Sequence, residues 1–195
     1  MSKQIKTVIA VDLLNRDKQT VFWRGVLVVP VAIFLSSFSQ TVRMGWSSTG
    51  ILVLPVVLTL LFRGVYPSYV LSFNKAFLEL QTRVASYLFL LTDEYPSIEA
   101  NSKVSVIFPE VNGGASLNRG LPLVKWFLAI PLYIVGVVYS LAALAISVVA
   151  WFQTFTSGTY PKWAAELVLG TIQYWNRVYG YAVLLVTDEY PSFKL

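Results

Sequence analysis

The apolar positions of this chain fall into long blocks separated by short polar stretches. Residues 21–39 are apolar apart from Arg24 and the serines near the end, residues 40–50 form a polar break containing Trp46, and residues 51–62 resume without a charge. That pattern predicts a hairpin of two helices. Residues 121–155 are nearly uncharged, with Lys125 alone. One helix of that length would measure about 52 Å, well beyond a hydrocarbon core of about 30 Å. A second hairpin is therefore expected, turning near Tyr139 and Ser140, with arms at about 121–138 and 141–156. Arms of ~16–18 residues sit at the lower edge of what crosses a bilayer. Pro30 and Pro131 each fall inside a first arm, where the missing N–H predicts a bend.

Each hairpin is followed by Tyr-Pro and a third helical pattern, at 67–91 and 161–186. Pro67 and Pro161 suit a first helical position. Ser68, Ser72, Lys75, Glu79, Arg83 and Ser86 recur every three or four residues, as do Lys162, Glu166, Gln173 and Arg177. Each set is a polar stripe on a wide apolar helix, which fits a helix lying at the cytoplasmic membrane interface, one that packs its stripe inside a bundle, or one that crosses; the distribution of basic residues favours the first two over crossing. Before each hairpin, residues 5–12 and 103–108 are rich in β-branched side chains and read as short strands able to pair on the membrane surface.

The two sets share more than a plan. Thr92-Asp93-Glu94-Tyr95-Pro96-Ser97 returns as Thr187-Asp188-Glu189-Tyr190-Pro191-Ser192. Tyr66-Pro67 recurs as Tyr160-Pro161, Arg83-Val84 as Arg177-Val178, and Arg24 with Pro30 resembles Lys125 with Pro131. The expected architecture is two tandem repeats, 1–97 and 98–195. The fold class is an all-α integral membrane protein with four spans and two short surface strands.

Composition agrees with a membrane setting. Hydrophobic residues make up 56% and charged residues 13%, against ~25% charged in a soluble domain; the mean hydropathy is +0.63. Cys and His are absent, which excludes disulfides, thiol chemistry, imidazole bases and the usual zinc or haem ligands. The first 20 residues lack a signal-peptide pattern, so the N-terminus is expected to be retained. The net charge of +5 reads as topology rather than nucleic-acid binding. If only the hairpins span, 14 of the 15 basic residues share one side, with Arg43 opposite. The positive-inside rule makes that side cytoplasmic, with both termini there. The tryptophans cluster at predicted helix ends, as in an aromatic belt.

Candidate chemistry is sparse. The pairs Asp93/Glu94 and Asp188/Glu189 stand at helix C-termini, where acids oppose the macrodipole at a cost of about 0.3–1 kcal/mol each. They could dock a basic partner, cap Arg83 or Arg177, hold a cation, or act as hydrated stops. Arg83 and Arg177 are candidates for lipid phosphates or a partner, and Arg83 is also placed to pair with Glu79 on one helix face. These six residues, Arg83, Arg177, Asp93, Glu94, Asp188 and Glu189, are the candidate contacts. No catalytic, metal or cofactor site is expected: adjacent acids lack a positioned partner, and Gly113-Gly114 has no phosphate-loop spacing.

The run Arg119-Gly-Leu-Pro-Leu-Val-Lys-Trp-Phe-Leu-Ala-Ile-Pro131, then Ala150-Trp-Phe, Gly158-Thr-Tyr-Pro161 and the stretch 184–192, resembles the bacterial membrane family catalogued as domain of unknown function 4389. The resemblance covers nearly all of 105–195. The first half resembles it as a degenerate copy, with Gly25 where Trp126 stands. It implies a prokaryotic membrane protein with tandem units, and brings no reaction, ligand or cofactor; the expected location is the bacterial inner membrane. The expected function is a non-enzymatic scaffold or accessory subunit of a membrane complex, whose partners are membrane lipids and other subunits or itself. Alternatives are a hairpin-type membrane-shaping protein and a homo-oligomeric pore or small transporter.

Overall fold

A computed structural model describes residues 3–38, 52–99 and 103–195. In chain order the elements are β1 (Lys6–Ile9), α1 (Lys18–Leu27), α2 (Val29–Ser37), α3 (Val53–Arg63), α4 (Ser68–Leu88), β2 (Val104–Ile107), α5 (Leu121–Leu128), α6 (Ile130–Ser157) and α7 (Lys162–Ala182), with a 3₁₀ turn at Asn112–Gly114. The chain is mostly helical. The two segments expected as strands pair antiparallel, from Lys6 opposite Ile107 to Ile9 opposite Val104.

Local chemistry explains the breaks. Asp17 caps α1 by accepting the Gln19 N–H at 3.1 Å. Regular helix is interrupted at Val28 and at Ala129, two residues before Pro30 and Pro131, which then sit in the first turn of the next helix. A proline there forfeits a hydrogen bond that the preceding helix would have needed. Gly64 and Gly158 end α3 and α6 in the left-handed conformation, which glycine adopts without a Cβ penalty.

The second hairpin is not present. α6 is one helix of 28 residues, running straight through Tyr139 and Ser140. Nothing there breaks a helix: the Ser140 hydroxyl donates back to the Gly136 carbonyl at 2.8 Å and accepts the Trp175 indole N–H at 2.8 Å. The polarity that suggested a turn serves helix packing instead. The length problem is relieved at Ala129, which splits off α5 and leaves about 42 Å of helix. In the first half the expected break at 40–50 lies outside the described residues. α3, with 11 residues, covers only about 16 Å and is too short to cross. Among the described residues two segments, Lys18–Ser37 and Ile130–Ser157, are long and apolar enough to cross a membrane, where four spans were expected.

The third helices pack within the body, one of the settings their stripes allowed. α7 is packed inside the body: apart from Glu166, every residue from Ala164 to Ala182 is buried or half-buried. It lies between β1 on one side and α6 on the other. Only part of its polar stripe turns inward: Gln173 donates to the Thr7 carbonyl at 3.1 Å, and beside it the Asn176 amide donates to the hydroxyls of Thr7 at 2.8 Å and Thr82 at 3.0 Å, while Lys162 and Glu166 stay exposed. α4 packs against β2, where Glu79 accepts the Val106 N–H at 3.1 Å. From the two stripes Glu79 and Gln173 thus bind the sheet, while Ser68, Ser72 and Lys75 on α4 and Lys162 and Glu166 on α7 stay exposed. The result is a layered body: sheet, then α4 with α7, then the apolar helices.

Candidate functional site

The repeated acidic segments each form a corner after a long helix. α4 and α7 both have 21 residues, and each is followed by a leucine with positive φ, Leu90 at 66° and Leu185 at 59°. A non-glycine residue there costs roughly 1–2 kcal/mol. Both leucines are buried, and that burial offsets the cost. The turn brings the next residues back against the helix that precedes Pro30 or Pro131.

In the first corner Asp93 meets two arginines. Arg24 bonds its carboxylate at 2.6 Å and Arg16 pairs with the same oxygen at 2.7 Å. Arg24 also donates to the carbonyls of Tyr87 and Thr92 and lies 4.7 Å from the centre of the Tyr87 ring. The Asp17 N–H reaches the other oxygen of Asp93 at 3.2 Å. In the second corner Lys125 pairs with Asp188 at 2.6 Å, donates to the Thr187 carbonyl at 2.7 Å, and lies 5.1 Å from the centre of the Tyr181 ring. The Asn118 N–H reaches Asp188 at 2.7 Å. Tyr95 packs edge-on against Tyr87 and Tyr190 against Tyr181. Each corner therefore takes the lone cation of an apolar stretch and neutralises it with carboxylate, carbonyl and ring.

Tyrosines tie the corners crosswise. The Tyr66 hydroxyl, just before α4, donates to Leu184 at 2.8 Å, and the Tyr160 hydroxyl, just before α7, donates to Phe89 at 3.0 Å. Burial pushes both phenols up to about 12; the Asn74 side chain opposes this slightly at Tyr66, as the charges of Arg16 and Arg24 do at Tyr160.

The six candidate residues are thus placed as follows. Asp93 and Asp188 are the anions of the two corners. Glu94 is exposed, with its backbone N–H on the Thr92 hydroxyl. Glu189 accepts from the Lys3 N–H at 2.7 Å and the Gln4 amide at 3.3 Å. Arg83 is buried and donates to the carbonyls of Ser97, Ile98 and Glu99, with Glu79 at 3.5 Å. Arg177 donates to the Lys194 carbonyl. Both arginines hold down the segment that follows their own acidic corner, so their hydrogen bonding is directed inside the chain.

Sequence reasoning did not join Arg24 and Lys125 to Asp93 and Asp188. The signal was present: a single cation in an apolar stretch requires an anion, and the repeated acids were the natural source. Arg16 gave no such signal, because it stands in a polar stretch. Chemically the corners hold charge and fix geometry. They present no activated nucleophile, and among the described residues no group of three or more acidic side chains could hold a metal.

Residues 122–194 match the family described as Domain of unknown function (DUF4389). The matched stretch contains α6, α7 and the second corner. No curated protein and no solved structure matches the chain.

Proposed function

We propose that this chain is a non-enzymatic membrane protein, a scaffold or accessory subunit of a larger membrane complex. The observation that carries the reading is the division of its surface. The cations of the apolar stretches are neutralised internally, while the apolar helices leave side chains such as Ile134, Leu141, Val148 and Phe152 exposed. Such a surface suits lipid and neighbouring subunits rather than water.

The architecture behind this reading is two tandem units, the second being the family domain and the first a diverged copy. Matching cation, acid, tyrosine and left-handed leucine at the two corners support that duplication. We place the protein at the bacterial inner membrane with both termini cytoplasmic. A pore gains no support, because the charges of the apolar segments are consumed in corners instead of lining a path. Membrane shaping by paired hairpins loses its layout where α6 runs straight.

The test is purification from native membranes in mild detergent. A fixed heteromeric partner at constant stoichiometry is expected. Recovery of a ring of identical subunits would overturn the scaffold reading in favour of a pore, and tubulation of liposomes by the pure chain would favour membrane shaping.

A further inference from the structure

The two ends of α6 are linked to one short extended segment, the start through Tyr190 and the end by direct backbone bonds. At its start, Tyr190 donates to the Leu128 carbonyl at 3.1 Å, while its own carbonyl accepts from Gln4 at 3.1 Å. At its end, the Arg16 N–H reaches the Gly158 carbonyl at 3.0 Å and the Tyr160 N–H reaches the Leu13 carbonyl at 2.8 Å. Residues 4–13, which include β1, therefore run alongside α6 over most of its length. About nine extended steps of ~3.3 Å give ~30 Å, comparable with the ~42 Å of the helix.

This bears on how α6 meets a membrane. If α6 stood across the bilayer, β1 and β2 would stand at the same depth. A two-stranded sheet is all edge, and hydrocarbon does not tolerate open sheet edges. The outer face of this sheet carries exposed Lys6 and Ser105 beside Val8 and Ile107, with the Lys103–Asp12 pair at 2.7 Å at its end. Charged groups at hydrocarbon depth are costly.

The layering offers a way out. α7 packs on β1 with one side and on α6 with the other, so the free face of the sheet and the free face of α6 point in opposite directions. On α6 that free face is a single stripe: Ile134, Val137, Leu141, Leu144, Val148 and Phe152 are all exposed. Leu132, Gly136, Ala143, Ser147, Ala150 and Thr154 are buried on the other side. We infer that α6 lies in the membrane plane, with its apolar stripe sunk into the hydrocarbon of one leaflet and the two-stranded sheet on the water side. The occupant of the stripe is lipid. α6 has the length of a spanning helix, but it is used as a float. The inference rests on the membrane reading above and specifies its geometry.

The full chain has no native cysteine, so single cysteines at Val137, Leu144 and Phe152 can carry a bimane fluorophore after reconstitution into phosphatidylcholine–phosphatidylglycerol vesicles. Flotation comes first: failure to float with the vesicles would overturn the membrane reading itself. Quenching by lipids brominated at different acyl positions then gives depth. The expected result is three equal depths, within about 3 Å. A graded series, in which 137 and 152 differ by up to ~22 Å, would overturn the in-plane placement while leaving membrane residence intact. Flotation without quenching at any of the three would show the stripe covered by protein and overturn lipid as its occupant. As an independent arm, cysteines at the exposed Ala115 and Thr159, beyond opposite ends of α5–α6, should react with impermeant maleimide from the same side of the membrane. Labelling from opposite sides would overturn the proposal.

Discussion

The two acidic corners solve one problem with different amounts of redundancy. Asp93 holds two arginines, Arg16 and Arg24, and both guanidiniums are buried. Asp188 holds one lysine, Lys125, 1% exposed. Arginine offers five donors in a rigid fork, and Arg24 uses them on two carbonyls and a carboxylate at once. Lysine is a point charge with three donors, and Lys125 reaches one carbonyl and one carboxylate. The difference shows how much the shared plan requires: one cation, one acid and one ring close the corner, and the rest is reinforcement.

The largest effect should come from breaking the corner that lacks a reserve. Lys125→Met leaves Asp188 and the Thr187 carbonyl without their cation, and removing one side of a buried pair costs about 3–5 kcal/mol. Arg24→Met should cost less, about 1–3 kcal/mol, because Arg16 still neutralises Asp93 while buried carbonyls lose donors. Thermal unfolding in detergent would order the two. Adding Asp188→Asn to Lys125→Met should recover part of the loss. Equal losses in the two single variants would mean that Arg16 gives no reserve.

These corners also mark how far the sequence could be read. The strands, the breaks at the prolines and the long helices follow from local signals: β-branched runs, missing N–H groups and apolar periodicity. The straight course of α6 did not follow, because the Ser140 hydroxyl finds its partners in Gly136 and in Trp175 of another helix. The burial of α7 was hidden for the same reason, since Gln173 and Asn176 find their partners in Thr7 and Thr82, far away in the chain. The acids were legible as candidates but their cations were not, as pairing across about 60–70 residues leaves no periodic trace.

Next in size is a contact peculiar to the second half. α6 and α7 approach closely at Gly136, where a Cβ would stand 2.7 Å from the Trp175 ring. Gly136→Val should force that ring off the Ser140 hydroxyl and destabilise by about 1–3 kcal/mol. The first half carries Leu35 at the matching distance from its proline, partly buried against the core. Leu35→Val there should cost under about 1.5 kcal/mol. A tolerant Gly136→Val, read by unchanged unfolding temperature, would show that the two halves pack alike.

The crossed tyrosines should respond alike, since they join both corners. Tyr66 and Tyr160 are pushed by burial to about 12 from 10.0. A raised phenol pKa favours the folded state while the phenol is protonated. That contribution is fully present below pH 10 and is lost as pH rises from 10 to about 12. Unfolding followed across that window should steepen with pH in the native chain and less so in Tyr66→Phe or Tyr160→Phe. Each phenylalanine should cost about 0.5–1.5 kcal/mol at pH 7 for the lost hydrogen bond. A marked asymmetry between the two would break the pairing of the corners.

The smallest effect belongs to the acid side, at the pair that closes the sheet beside the first corner. Burial of Asp12 raises its pKa, but hydrogen bonds from Lys103 and Thr92 and the charge of Lys103 outweigh this and hold it below 3.8. A depressed carboxylate contributes stability above its unfolded pKa and loses it as pH falls through the folded value. The loss therefore falls below about pH 4. Both side chains are about a third exposed, at 34% for Lys103 and 31% for Asp12, so solvent screens the pair and it is worth about 0.2–1 kcal/mol. Asp12→Asn should reduce stability by that amount at pH 7 and remove the corresponding part of the acid slope. The exposed Glu110, at the matching place beyond β2, should give no measurable change as Glu110→Gln. If Asp12→Asn were equally silent, the Lys103 contact would be only a surface encounter, and the reinforcement of the first corner would reside in Arg16 alone.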